Sequence, residues 1–304
     1  MKSGLGLLAT LLLLAACGSD ATAPAVPPDP SMQQHERAGQ LAYSLDRPED
    51  AVAQYRQALT RAEARDDLPA IGDLSFNLAA AELRANRPDA ALATARRARA
   101  ELARRGSPGM PALDLIEATA LYRIGQPAAA DRLAAQLQSG DAETGAAASF
   151  LRGLIADDQG DIAGLQAAGQ ALSRSGTGGN DKAPAVKSTQ QADAAELRAR
   201  LARQQGNFAE ARSAALQSAD LRRDLLDYRG LARALSIAAD AARQSGDLPA
   251  AADLYLRAGR SAAAQGDRTQ AHAWLDQAIG LDQDSAITEA ARQALNDISQ
   301  GDTD

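Results

Sequence analysis

A short turn signal recurs along this chain, and each recurrence is followed at a fixed offset by a small or apolar residue. The signals are Asp46-Arg47-Pro48 with Ala51, Asn86-Arg87-Pro88 with Ala91, and Gly125-Gln126-Pro127 with Ala130. They continue as Gly160-Asp161 with Leu165, Gly206-Asn207 with Ala211, and Gly246-Asp247 with Ala251; a seventh follows at Gly266-Asp267 with Ala271. Most steps are about 40 residues, contracting to about 35 before Gly160 and stretching to about 46 before Gly206. A repeated interval of this kind marks one supersecondary unit stacked many times, each copy burying its apolar face against the next.

The residues between the signals predict what that unit is. Four and seven positions after each offset residue stand Tyr55 and Ala58, Ala95 and Ala98, Ala134 and Leu137, Ala215 and Ser218, Tyr255 and Ala258, Leu275 and Ala278. Positions i, i+4 and i+7 share one helical face. Apolar residues upstream of the turns keep the same period, as in Leu74, Leu78 and Ala81 or Leu235, Ala238, Ala239 and Ala242. Each unit therefore reads as helix, tight turn, helix, with Gly or Asn closing one helix and Pro opening the next. Composition agrees: there are only three valines and 3% aromatics, too few β-branched and aromatic residues for a sheet. Much of the 45% hydrophobic content is Ala, which buries little area and suits thin layers between closely approaching helices.

The N-terminus carries a different signal. Lys2 precedes an apolar run from Leu5 to Ala16, the pattern of a secretory signal and too short for a transmembrane helix. Cys17, the only cysteine, excludes an intramolecular disulfide or a multi-cysteine metal site. From Gly18 to Met32 the closely spaced Pro24, Pro27, Pro28 and Pro30 predict an extended tether. Far downstream, the Gly- and Ser-rich stretch from Ser173 to Ser188 interrupts the repeats and predicts a loop or hinge between two sub-arrays. The expected organisation is thus 1–16 signal peptide, 17–32 lipidated cysteine and tether, 33–173 first array, 174–189 loop, 190–300 second array, and 301–304 frayed tail.

Two resemblances sharpen this reading. Leu14-Ala15-Ala16-Cys17 resembles the lipobox of bacterial lipoproteins, which implies cleavage before Cys17 and a covalent lipid on its thiol. Two or three acyl chains hold a protein on a bilayer where one is marginal. Gly18 rather than Asp follows the cysteine, which in that family implies the periplasmic leaflet of the outer membrane rather than the inner membrane. The repeated unit resembles the tetratricopeptide repeat, most fully through Gly39, Asp46, Ala51, Tyr55 and Ala58, and again through Tyr255, Ala258, Gly259, Gly266, Ala271, Leu275 and Ala278. The resemblance spans residues 33–299 and implies an all-α, right-handed superhelical array of about seven antiparallel helix hairpins. The interval, nearer 40 than that family's 34, implies longer helices.

Catalytic and metal chemistry has little to stand on. His35 and His272 lie far apart, and His272 reads as a surface or interhelix side chain. No HExxH, paired-Cys spacing, EF-hand loop, phosphate-binding GxxxxGK[ST] or GxSxG elbow is present. The adjacent Asp157 and Asp158 diverge on a helix and read as a solvated helix end. Thirty-two basic against 39 acidic residues give a net charge of −7, which argues against a nucleic-acid surface. No enzyme, metal or cofactor beyond the lipid on Cys17 is expected.

What remains is surface. In tetratricopeptide arrays the first helix of each unit lines a concave groove that binds peptides. That implication, counted back from each turn, places Tyr43, Phe76, Tyr122, Arg123, Phe150, Arg200, Arg203, Arg233 and Arg243 on the groove. The first half would hold apolar anchors of a partner and the second half would grip carboxylates. The resemblance implies a membrane-anchored periplasmic scaffold for other envelope proteins, touching the membrane by its lipid alone and no nucleic acid. The alternative is a glycan- or peptidoglycan-associated accessory solenoid of a cell-wall enzyme system.

Overall fold

A computed structural model describes residues 27–177, 184–281 and 286–300. Among them there are fourteen α-helices and no strand. The first hairpins are α1 (Pro30–Ser44) with α2 (Pro48–Ala64), α3 (Leu68–Arg84) with α4 (Pro88–Arg104), and α5 (Pro111–Arg123) with α6 (Pro127–Leu137). Next come α7 (Ala142–Asp158) with α8 (Ile162–Thr177), and α9 (Pro184–Gln204) with α10 (Phe208–Asp224). The last are α11 (Tyr228–Gln244) with α12 (Leu248–Ala264), and α13 (Arg268–Leu281) with α14 (Ala286–Gln300). The array of seven antiparallel hairpins is the one the spacing predicts.

The interval has a simpler origin than a forty-residue unit. Left-handed backbone recurs at Asp46, Asp66, Asn86, Gly106 and Gly125, then at Gly160, Gly206, Leu226, Gly246 and Gly266. Each of these residues closes a helix by the same pair of bonds. The Asp46 N–H donates to the Tyr43 carbonyl at 3.2 Å and the Arg47 N–H to the Ala42 carbonyl at 2.8 Å; Gly246 and Asp247 repeat this onto Arg243 and Ala242. These bonds satisfy carbonyls that the helix end would leave orphaned. The following residue then opens the next helix: Asp67, Asp227 and Asp247 accept from the N–H groups of Ala70, Gly230 and Ala250. A 17-residue helix plus a three-residue turn gives a twenty-residue step, seen directly from Asp46 to Asp66 to Asn86 to Gly106. The turn at Gly266 therefore follows Gly246 by one helix, not by one hairpin.

Every offset residue behind the turns is buried: Ala51, Ala91, Ala130, Leu165, Ala211, Ala251 and Ala271. So are Tyr55, Ala58, Ala95, Ala98, Ala134, Leu137, Ala215, Ser218, Tyr255, Ala258, Leu275 and Ala278. Successive helices pack on each other throughout, and the odd-numbered helices also touch directly at α3–α5, α5–α7, α7–α9 and α9–α11. Of the even-numbered helices, only α12 and α14 make a comparable contact. The layer whose members crowd together is the inner one, so from α3 to α11 the odd helices form the concave wall.

Two predicted boundaries move. The tether was expected to reach Met32, but α1 opens at Pro30, because Asp29 accepts from the N–H groups of Ser31 and Met32 and Pro30 occupies the first turn. Asp29 is itself buried and paired with Arg61 at 2.9 Å, which fastens the start of the fold to the end of α2. The predicted loop 174–189 narrows as well: α8 runs to Thr177 and α9 starts at Pro184. Helix α9 packs on both α7 and α8, so the wall is continuous across the interruption. The signal peptide, Cys17, the tether up to 26, residues 178–183 and the tail 301–304 lie outside the described residues. Among the described residues no helix is long and apolar enough to cross a membrane.

Candidate functional site: the inner wall

Of the four aromatics expected on the groove, Phe76, Tyr122 and Phe150 sit where the core meets the inner wall, and Tyr43 sits beyond the wall's first helix, on α1. Tyr43, Phe76, Tyr122 and Phe150 are half-buried, each with one face against buried Ala and Leu side chains. The Arg84 guanidinium lies 4.8 Å from the Tyr43 ring centroid, and those of Arg222 and Arg233 lie 5.8 Å and 5.9 Å from the Phe150 centroid. Cations at this range are attracted by the ring face. Phe76, Tyr122 and Phe150 are thus both core and wall.

The arginines divide into two groups. At the junction of α7, α9, α10 and α11 they are neutralised within the chain. Glu196 is fully buried (0% exposed) and accepts from Arg200 at 2.9 Å, Arg222 at 2.8 Å, and Arg233 through two parallel bonds at 2.8 Å and 3.0 Å. Asp157, also buried, accepts from Arg200 at 2.7 Å, Arg203 at 3.1 Å and Gln204 at 2.6 Å. Arg222 reaches on to Asp193 and Asp227, both at 2.7 Å. Burial raises the Glu196 carboxyl, but Arg233, Arg200 and Arg222 outweigh it and hold the group down at about 2. Asp193 has weaker compensation, and burial pushes it up to about 6 against the pull of Arg222.

This lattice corrects two expectations. Asp157 is not part of a solvated helix end but a buried hub of the lattice; Asp158 is exposed, as expected, and accepts from the Tyr122 hydroxyl at 2.5 Å. They do diverge, one toward α9 and the other toward α5. Arg200, Arg203 and Arg233 are on the inner layer, but carboxylates of this chain already occupy them. Arg243 is more open, 3.5 Å from Asp240, which also accepts from the buried Tyr255 hydroxyl.

The second group rims the mouth of the concavity. Asp46, at the α1–α2 turn, accepts from Arg84 Nε at 2.7 Å and from Arg229 Nε of α11 at 3.4 Å. That second contact joins residues 183 positions apart, so the array curves far enough to bring its sixth hairpin back to its first. Arg123 stands on the same wall and pairs with no carboxylate among the described residues. Its Nη1 donates to the Leu83 carbonyl at 2.6 Å, one unit back along the array. Although open to water, its guanidinium is pushed below the usual arginine value by the surrounding protein and by the positive charges of Arg233 and Arg229.

The mouth also carries exposed apolar side chains: Leu45 (60%), beside Asp46, and Leu226 (67%) and Tyr228 (47%), beside Arg229. Nine of the ten left-handed turn residues among those described are Gly, Asp or Asn, and Leu226 is the exception. Leucine in that conformation is strained. Sequence reasoning missed Asp46, Arg84, Arg229, Glu196 and Leu226. A usable signal for the charges existed, namely opposite charges one repeat apart, as in Asp46–Arg84 and Glu196–Arg233.

His35 bonds Gln54 and His272 is exposed on α13; no cluster of metal-binding residues occurs among the described residues. Family models described as tetratricopeptide repeat match residues 37–111 and 252–285, covering α1–α4 and α12–α13. Those are the two stretches whose residues carry the resemblance best. The second match pairs α12 with α13, so the hairpin register shifts by one helix near the C-terminus. A tetratricopeptide repeat protein from Parabacteroides merdae ATCC 43184 is similar in structure, with 18% identity and a TM-score of 0.45, over 87% of this chain and 99% of that one. The TPR2AB-domain:pHSP90 complex of yeast Sti1 is similar at 14% identity and a TM-score of 0.34, over 82% and 98%. No curated protein matches the chain. Two stretches of this helical array are thus similar to tetratricopeptide repeats.

Proposed function

We propose that this chain is a non-enzymatic adaptor of the bacterial envelope that captures segments of protein partners on its inner wall. The observation that carries the reading is that wall itself: half-buried Phe76, Tyr122 and Phe150 stand with arginines along the concave layer from α3 to α11. Stacked repeats present such surfaces to extended or helical ligands. The lipobox-like Leu14-Ala15-Ala16-Cys17 followed by Gly18 supports a lipid anchor on Cys17 and the periplasmic face of the outer membrane. A chain tethered there, with a wall for polypeptides, suits assembly of an envelope complex such as a pilus or secretin, or of outer-membrane proteins.

A photo-crosslinking amino acid at Phe76 in intact cells tests the groove, with Arg97 on the outer helix α4 as control. A discrete crosslinked protein from Phe76 alone is expected. No adduct at Phe76, or retention of the purified chain on cell-wall sacculi without added protein, would overturn the adaptor reading in favour of a glycan-associated one. Cys17→Ser is expected to release the chain from the membrane fraction, and undiminished membrane retention would refute the anchor.

A further inference from the structure

We propose that the wall around Arg123 is a receptor for one side-chain carboxylate of a partner's acidic segment, an inference that rests on the adaptor reading and names the partner's chemistry. Arg84, Arg200, Arg203, Arg222, Arg229 and Arg233 each pair with an acidic side chain of this chain; Arg123 does not. The nearby carboxylates are already committed. Asp46 is divided between Arg84 and Arg229, and Asp158, held by the neutral Tyr122 hydroxyl on the α7 side, makes no ion pair with Arg123. The cationic wall at this point is therefore undercompensated in a chain whose net charge is −7.

The geometry selects a carboxylate. The Leu83 carbonyl occupies Nη1 of Arg123 and fixes the plane of the guanidinium. The Nε–Nη2 edge is left, with two parallel N–H donors at the spacing that a carboxylate accepts in bidentate fashion. A flexible ammonium would supply charge without that fork. The exposed Leu45, Leu226 and Tyr228 at the mouth would favour apolar neighbours in the bound segment.

The test uses the full chain in detergent micelles and fluorescein-labelled hexaglutamate, read by anisotropy at fixed ionic strength. Wild type is expected to bind, with Arg123→Gln and Arg123→Lys each weakening binding at least about tenfold, the low end for a charge-assisted pair. Arg97→Gln on the outer face should leave it unchanged. Arg123→Gln should melt no lower than wild type, because it removes a cation that faces Arg229 and Arg233. Arg123→Lys keeps the charge, so its loss of binding identifies the fork rather than the field. Absence of wild-type binding overturns the inference. So does equal binding by Arg123→Gln, by labelled hexaglutamine, or full displacement by inorganic phosphate at equal concentration. In cells, an unchanged Phe76 crosslink in Arg123→Gln defeats the carboxylate site while sparing the adaptor; loss of the crosslink in wild type defeats the adaptor.

Discussion

Arg200 and Arg123 stand on the same inner wall, near the ends of equivalent helices, and end in opposite electrostatic states. Arg200 lies between two buried carboxylates, Asp157 and Glu196, in a lattice that spans four helices. Arg123 has a backbone carbonyl and is otherwise exposed. The difference follows from what stands one turn earlier on the same helix and one repeat away. Asp157 and Glu196 occupy the α7 and α9 positions that face Arg200, whereas the position facing Arg123 on α3 is a leucine whose carbonyl alone is in reach. A repeat array thus sets the charge of each stretch of wall by the residues one helical turn and one unit earlier. The arginines of the junction are neutralised within the chain, and Arg123 is not.

If the junction is held by its charges, removing its hub should produce the largest loss in the molecule. Glu196→Gln leaves Arg200, Arg222 and Arg233 crowded around a neutral side chain. Breaking a buried ion network from one side costs about 3–5 kcal/mol. Equilibrium urea unfolding should show that loss at neutral pH, where Glu196, held at about 2, is fully ionised. The contribution is present above the unfolded carboxylate range and fades as pH falls toward 2, so wild type and variant should converge in acid. A loss below about 1 kcal/mol would put the junction in the same class as ordinary surface pairs.

The packing of the same junction gives a second, smaller effect. An added methyl on Gly153 of α7 would come within 2.5 Å of Leu197 Cδ1, and Leu197 is itself buried and cannot swing away. Gly153→Ala should therefore cost about 1–3 kcal/mol through overpacking. The thermal midpoint should fall without change in helical content. An unchanged midpoint would show that α7 and α9 are free to separate, contrary to a charged joint that locks them.

These two regions differ as much in how far the sequence foretells them. The offset alanines, Gly39 against Tyr55, and the capped turns are legible because each depends on residues within one helix or one hairpin. The charge lattice is not. Asp157 looks like a solvated helix end until α9 brings Arg200 and Arg203 to it across 43 and 46 residues. One local difference separates Arg200 from Arg123: Glu196 stands one turn before Arg200, whereas Thr119 stands one turn before Arg123. The turn at Leu226 also escapes a search for Gly and Asn, since leucine carries no turn signal. The proposed lipid site, Cys17, lies outside the described residues.

Leu226 allows the comparison to be tested with the opposite sign. Asn tolerates left-handed backbone far better than leucine does, so Leu226→Asn should stabilise the protein by about 1 kcal/mol. The mouth would then be a place where stability is given up, while the junction is one where it is gained. If Leu226→Asn also weakens the crosslink from Phe76, the exposed leucine belongs to the partner's footprint. Destabilisation would mean that Leu226 makes a sheltering contact that its 67% exposure does not reveal.

The smallest energetic effect is expected at the contact that brings the array back on itself. Arg229 and Asp46 are partly exposed, their 3.4 Å contact is long, and Asp46 keeps Arg84 when Arg229 is lost. Arg229→Gln should therefore cost less than about 1 kcal/mol. Its geometric effect should be larger than its energetic one, because this pair alone among the salt bridges of the described residues joins the first hairpin to the sixth. Spin labels at Leu45→Cys and Tyr228→Cys would report the gap, with Cys17 occupied by its proposed lipid. Wild type should give a short, narrow distance distribution that broadens outward in Arg229→Gln and, more weakly, when salt screens the pair. Identical distributions would show that the helix stacking fixes the curvature unaided, and the mouth would then differ from the junction only in charge and not in rigidity.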